Sequence, residues 1–253
     1  MQTVAIINRK GGVAKTSTAH ALGAGLIKRG KKVLFIDLDS QTNLSYALAA
    51  DMTVPDSMQL LTKEISAAEA IQRAPGGDII AGSESLATAD AKINTTGKEY
   101  RLKEAINGLK YDYIIIDTPA ALGTLTINAL TAANKIIIPV QAELYSLQGI
   151  GQLIDAIDPV KTYCNPSLTI DGILLTRFYA RAVISRDMQE NLAEVAKKLH
   201  TRLYKTAIRE CISIKEAQAS QQDIFSYAPR SNAAKDYDDF IKEFLKGAKH
   251  GKS

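Results

Sequence analysis

The sequence predicts an α/β fold, a doubly wound, mostly parallel sheet flanked by helices. Three observations predict it. Short, continuously apolar runs recur and end in polar residues, the pattern of parallel strands buried on both faces. Helix-length segments separate them, so strand and helix alternate along the whole chain. The first apolar run, residues 3–7, enters a loop read as Asn8-Arg9-Lys10-Gly11-Gly12-Val13-Ala14-Lys15-Thr16-Ser17, and a helix-compatible stretch over 17–29 leaves it. Strand, glycine-containing loop, Lys-Thr and helix is the layout of a phosphate-binding loop, in which backbone N–H groups and the positive helix end face an anion. In that layout Lys15 reaches the β- and γ-phosphates and the Thr16 hydroxyl holds Mg²⁺.

The totals set the bounds. The 253 residues, 46% of them hydrophobic, suffice for one sizeable α/β core. A single domain over 1–253 is expected. Net charge is +4 and pI is near 8.9, mildly basic and compatible with an acidic partner. Cys164 and Cys211 are the two cysteines. They form no C-x-x-C, so free thiols in a reducing cytoplasm are expected. No signal peptide is visible, and the apolar runs at 113–116 and 136–140 are too short to span a bilayer.

The elements follow in order. Residues 33–36 form a second apolar run, ended by Asp37-Leu38-Asp39-Ser40-Gln41. Ligand sites in parallel sheets lie beyond the carboxyl ends of the strands, which puts Asp37 and Asp39 where phosphates would be. Residues 43–50 read as a short helix. The stretch 51–77 is less regular, with a helix at 65–71 and a turn at Pro75-Gly76-Gly77. A strand follows at 78–81, then helices at 83–91 and 98–109. Residues 111–116 lead through the apolar run 113–116 into Asp117-Thr118-Pro119. A strand ending in an acid has the form of a magnesium-site strand, with Asp117 beside Thr16; one carboxylate plus water and phosphate oxygens suits Mg²⁺. Beyond it come a helix at 120–133, a strand at 135–140, an amphipathic helix at 146–161 and a strand at 168–176. A helix at 186–200, a short strand at 203–208 and a final helix at 233–246 complete the chain.

The loop departs from the ordinary G-x-x-x-x-G-K-[ST] pattern, because positions 9 and 14 hold Arg9 and Ala14. What fits is K-G-G-x-x-K-[ST]-[ST], with an extra lysine at Lys10. This deviant Walker A loop resembles that of the ParA/MinD superfamily of nucleotide-switch P-loop ATPases. Asp37-Leu38-Asp39-Ser40-Gln41 is similar to the family's D-x-D-P-Q, with Ser40 in place of proline. Asp117-Thr118-Pro119-Ala120 resembles its switch loop, Ile138-Pro139-Val140-Gln141-Ala142-Glu143 an I-P-V-Q-x-E segment near the dimer interface, and 227–234 its last loop.

The resemblance implies roles. Lys10 is the signature lysine, which crosses a dimer interface to the partner's ATP. Asp39 orients and polarises the attacking water, while Asp37 supports the Mg²⁺ shell or the loop lysine. Nucleotide contacts fall on Lys10, Gly11, Gly12, Val13, Ala14, Lys15, Thr16, Ser17 and Arg209; metal contacts fall on Thr16, Asp37 and Asp117. Ala14 stands where the family has glycine, and its methyl group is tolerable if the residue has helical φ. The cysteine pattern argues against nitrogenase iron-protein relatives, and the scattered tyrosines against a tyrosine-kinase relative.

Two surfaces bear on cargo. Arg177, Arg181, Arg186 and Lys215, with Arg209, are candidates for one basic DNA face, since phosphate contacts need only outward lysine and arginine. Composition alone favours a solvated face; the resemblance favours DNA. Relatives often carry basic residues at the places of Glu210 and Ser213. The final helix has Phe240, Ile241, Phe244 and Leu245 beside lysines, a stripe that suits core packing better than a membrane. The resemblance therefore implies a cytoplasmic, nucleoid-associated partition ATPase with slow intrinsic turnover. It would use ATP and Mg²⁺, form a homodimer with ATP, bind nonspecific double-stranded DNA and answer to a ParB-like centromere-binding protein. No N-terminal helix-turn-helix domain is expected. The rivals are a MinD-like membrane-surface ATPase and a metabolic or metal-cluster-assembly ATPase on the same loop.

Overall fold

The computed structural model describes residues 1–143, 146–179 and 183–250. In chain order its first elements are β1 (Gln2–Ile6), α1 (Lys15–Ile27), β2 (Val33–Asp37), α2 (Asn43–Ala47), α3 (Ser57–Thr62) and α4 (Ala67–Ala70). Then come β3 (Ile71–Ala74), β4 (Gly77–Ile80), α5 (Ala89–Lys92), α6 (Arg101–Ala105), β5 (Tyr113–Asp117), α7 (Thr124–Ala132) and β6 (Lys135–Gln141). The rest is α8 (Ser146–Tyr163), β7 (Thr169–Thr176), α9 (Val183–Lys198), α10 (Ile212–Ala219), α11 (Ile224–Tyr227) and α12 (Asn232–His250).

Among the described residues the strands form one sheet in the order β3-β4-β2-β5-β1-β6-β7. All pairings are parallel except β3 with β4. The expected doubly wound α/β architecture is therefore present. Side chains alternate across it with period two. Leu34, Ile36, Ile114 and Ile116 face one apolar layer under α3, α6, α7 and α8. Phe35, Ile115, Ile137 and Leu174 face the other, packed on α1 and α12. The register pairs both Ile6 and Asp37 with Asp117, so three strand ends converge at one edge of the sheet.

α1 lies close on the sheet because it carries glycines. A Cβ at Gly23 would come within 2.1 Å of the Phe35 ring, and one at Gly25 within 2.3 Å of Ile241. α12 uses its apolar stripe there: Tyr237, Phe240, Ile241 and Phe244 are completely buried. No described helix is long and apolar enough to cross a membrane.

The middle of the chain differs most from expectation. Two of its helices begin with capping boxes, Asp56 with Gln59 and Ser66 with Glu69. The segment expected as one helix at 65–71 is only α4, and Ile71 already begins an antiparallel edge strand. Pro75-Gly76 then makes the hairpin turn into β4. The expected helix at 98–109 is a 3-10 turn, Lys98–Tyr100, followed by α6. The expected strand at 203–208 is not a strand: it follows β7 through isolated bridges at Ile173–Leu203 and Phe178–Arg209.

Gly23→Ala is expected to lower stability by about 1–2 kcal/mol, because overpacking against Phe35 outweighs a helix-propensity gain of about 1 kcal/mol. Gly151 in α8 has open space around it. There Gly151→Ala is expected to raise stability by up to about 1 kcal/mol. Urea denaturation of both variants checks the opposite signs.

Candidate functional site

The site starts from the loop between β1 and α1. The scaffold holds that loop by its carbonyls. Gln141 donates to the Gly12 carbonyl at 2.8 Å, and the Thr176 hydroxyl to the Val13 carbonyl at 3.0 Å. Asn8 donates to the Pro139 carbonyl at 2.7 Å and accepts from the Lys10 amide at 3.0 Å. Gly12 and Ala14 have φ of +77° and +64°. The condition under which Ala14 is easily tolerated is thus not met: its φ is left-handed, where a Cβ costs about 1–2 kcal/mol.

Lys15 is buried, and its Nζ lies 3.3 Å from the Lys10 carbonyl. Burial lowers its pKa, with Asp117 and then Asp39 opposing the shift. The Thr16 hydroxyl donates to Asp117 Oδ2 at 2.6 Å. Asp117 Oδ1 is buried without a hydrogen-bond partner among the described residues. Burial, then the charge of Asp37, pushes the Asp117 pKa up to about 8. An orphaned carboxylate oxygen beside a threonine hydroxyl is an oxygen donor set that fits Mg²⁺.

Asp37 is buried too, but it is fully engaged. Oδ2 accepts from the Ser45 amide and hydroxyl, and Oδ1 from the Asp39 amide at 3.0 Å. Its pKa is raised to about 6, chiefly by burial. Asp37 thus fixes Ser45 and Asp39 in place. Asp39 Oδ1 accepts from the Gln41 amide at 3.1 Å, which holds that carboxylate at the cleft.

The cleft has a volume of about 660 Å³ and is lined by Gly11, Gly12, Ala14, Lys15, Thr16, Ser17 and Asp39 of the expected set. Val13 is buried beneath it. Lys10 is ion-paired with Glu143 of its own chain, and the neighbouring Arg9 donates to Gln152 at 2.6 Å. The structure does not bring Arg209 into the cleft, because Asp236 binds its guanidinium through two bonds at 2.9 and 2.6 Å. Of the four expected DNA-facing residues, two have described side chains. Arg177 and Lys215 line the cleft, and Arg177 pairs with Glu210 at 2.7 Å. Arg181 and the side chain of Arg186 lie outside the described residues.

Sequence reasoning missed several contributors. Gln41, Asn43, Tyr46 and Ala120 line the cleft. Gln41 and Asn43 were findable, since they follow Asp39 past a strand end. The stretch 209–218, which the family resemblance places near the adenine and the DNA-facing edge, supplies a wall of the cleft through Glu210, Cys211, Ile214 and Gln218. Behind that wall, Gln218 donates to the Ser17 hydroxyl at 3.1 Å, and His20 is buried edge-on to Phe35.

Residues 1–170 match a family described as an AAA domain (AAA_31). The chain is 38% identical over 247 residues to "Sporulation initiation inhibitor protein Soj" of Bacillus subtilis, covering 95% of this chain and 96% of that one. It is 33% identical over 250 residues to "Chromosome partitioning protein ParA" of Myxococcus xanthus, covering 96% and 87% respectively. Among solved structures, a Mycobacterium smegmatis protein named cobyrinic acid a,c-diamide synthase, with bound ADP and magnesium, superposes with a TM-score of 0.84. It is 32% identical and covers 100% of this chain and 97% of its own.

Two outcomes follow from the site. Ala14→Gly is expected to stabilise the nucleotide-free protein by about 1 kcal/mol, read as a higher urea midpoint, by relieving left-handed strain. His20 has a pKa lowered to about 4 by burial, with Asp223 partly opposing. A depressed folded pKa means that stability present above the unfolded value near 6.5 is lost as pH falls toward 4. Denaturation midpoints across pH 4 to 8 should show this loss, and His20→Gln should flatten it.

Proposed function

Because the chain belongs to the ParA/Soj family of partition ATPases, we propose that it is an ATP-dependent dimerising switch that partitions a plasmid, chromosome or mobile element. ATP is its substrate and Mg²⁺ its cofactor, like the nucleotide and magnesium named in the similar structure. A ParB-like protein stimulates it, turnover without that partner is slow, and the ATP form binds nonspecific DNA in the cytoplasm. The observation that carries this reading is the convergence of Lys15, the Thr16–Asp117 pair and Asp39 on one cleft.

The residues divide the work. Loop amides and the positive end of α1 hold the phosphates. Lys15, already desolvated, meets the β- and γ-oxygens with its charge little screened. Thr16 and Asp117 would hold Mg²⁺, which supplies charge neutralisation on the phosphate oxygens when bound. Asp39, fixed through Asp37 and Gln41, orients water for in-line attack, a positioning role of the kind phosphoryl transfer needs. Lys10 exchanges its Glu143 partner for the opposite protomer's phosphates when two copies close. DNA affinity then comes from two modestly basic protomers acting together. α12 buries its apolar stripe, which supports DNA over a membrane as cargo.

Lys15→Ala is expected to abolish nucleotide binding in calorimetry. Asp39→Ala is expected to keep ATP binding, lose hydrolysis by at least about a hundredfold, and run as a dimer with ATP in size-exclusion chromatography. With that variant, duplex DNA of random sequence should be bound only with ATP, weakening steeply with salt. ATP-dependent binding to anionic liposomes without DNA binding would replace the partition reading with a MinD-like one.

A further inference from the structure

The cleft has two ends, and the geometry decides which takes the base. The acids and the magnesium donors, Asp37, Asp39 and Asp117, end β2 and β5 or follow them. Those strands lie on one side of β1, and β6 and β7 lie on the other. A triphosphate seated on the loop therefore points its terminal group toward β5 and β2. Its base leaves toward β7, where Arg177 is the first residue past the strand.

Arg177 is held there at two edges. Nε donates to Glu210 at 2.7 Å, and Nη1 lies 3.5 Å from the Gly12 carbonyl. N–H contacts of this kind lie in the guanidinium plane, and Arg177 lines the cleft. The backbone there has φ of +49°, a costly geometry for a non-glycine residue, of the kind retained at ligand clamps. Glu210 is bound to the same guanidinium, so neither charge is presented outward alone.

We propose that Arg177, held flat by Glu210, stacks on the base of the bound nucleotide and sets purine preference. This assigns Arg177 to the nucleotide instead of DNA. A planar guanidinium stacks on an aromatic face in a way that an ammonium cannot. A two-ring purine offers more face than a one-ring pyrimidine. The inference rests on the nucleotide-site reading proposed above.

The test is the ratio of ATP to UTP affinity, measured calorimetrically with Mg²⁺. Wild type is expected to prefer ATP by about tenfold. Arg177→Asn tolerates left-handed φ and should bring the ratio near one, chiefly by weakening ATP. Arg177→Lys keeps the charge and should not restore the ratio; it also serves as the second variant if the first fails to fold. Glu210→Gln should give an intermediate ratio. An unchanged ratio in both Arg177 variants overturns the inference, as does a wild-type ratio of one. Equal weakening of ATP and UTP overturns it as well, by placing Arg177 on phosphate. Lys15→Ala should lose both nucleotides, and a wild type that binds neither removes the nucleotide-site reading together with this inference. Lost DNA binding with an unchanged nucleotide ratio would return Arg177 to the DNA face.

Discussion

The ligand end of the sheet is governed by the cost of buried charge. Asp37 and Asp117 end adjacent strands in register, both are completely buried, and Lys15 is nearly so. A buried ion costs several kcal/mol unless it is paired and hydrogen-bonded. The two carboxylates meet that demand differently. Asp37 accepts three hydrogen bonds, and its pKa rises only to about 6. Among the described residues Asp117 has one partner, Thr16, and an orphaned oxygen, and its pKa reaches about 8. Asp117 is therefore the group that gains most from a cation. The two differ because more donors surround Asp37 and because the charge of Asp37 acts on Asp117.

Much of this was legible in the sequence, for a physical reason. Parallel strands buried on both faces must be continuously apolar, so each strand end shows as a polar break. That is how Asp39 and Asp117 stand out. Lys15 and Thr16 are legible because a helix N-terminus after a glycine loop has a fixed geometry. The failures lie where contacts are long-range and side-chain specific. Nothing near Arg209 reveals that Asp236, on α12, binds it. Nothing near Arg177 reveals Glu210. A count of nearby basic residues reads both arginines as free, while the fold neutralises them internally. In the middle region the capping boxes at Asp56 and Ser66 stand in the sequence as D-x-x-Q and S-x-x-E, a local signal that the expected helix at 65–71 and the irregular stretch before it did not use.

Of the seven non-glycine residues with left-handed φ among the described residues, three border the same cleft. Ala14, Thr42 and Arg177 are non-glycine residues with left-handed φ, and each precedes or borders a segment that faces the ligand. Such conformations persist only where surrounding contacts over-determine them. Here the contacts are identifiable: Gln141 and Thr176 hold the loop before Ala14, the Asp39 carbonyl accepts from the Thr42 amide at 2.9 Å, and Glu210 holds Arg177. The loop is thus preorganised by the ends of β6 and β7, which also explains why those strands matter to a site whose chemistry lies on β1, β2 and β5.

These contacts join into a closed circuit around the cleft. Ser17 at the start of α1 takes a hydrogen bond from Gln218 on α10. Past the end of α10, Gln221 donates to the Tyr46 carbonyl at 3.1 Å, reaching α2. Ser45, also on α2, binds Asp37, which holds Asp39. Ahead of α10, Glu210 binds Arg177, which reaches back to the loop at Gly12. A ligand filling the cleft meets nearly every link. α10 is part of this circuit and also carries a largely exposed side chain, Ile212. A switch needs an element that touches ligand on one side and solvent on the other. α10 meets both surroundings, with Gln218 on the cleft and Ile212 exposed. Glu210, just ahead of α10, supplies the carboxylate that pairs with Arg177, so two opposite charges meet at one point of the cleft wall.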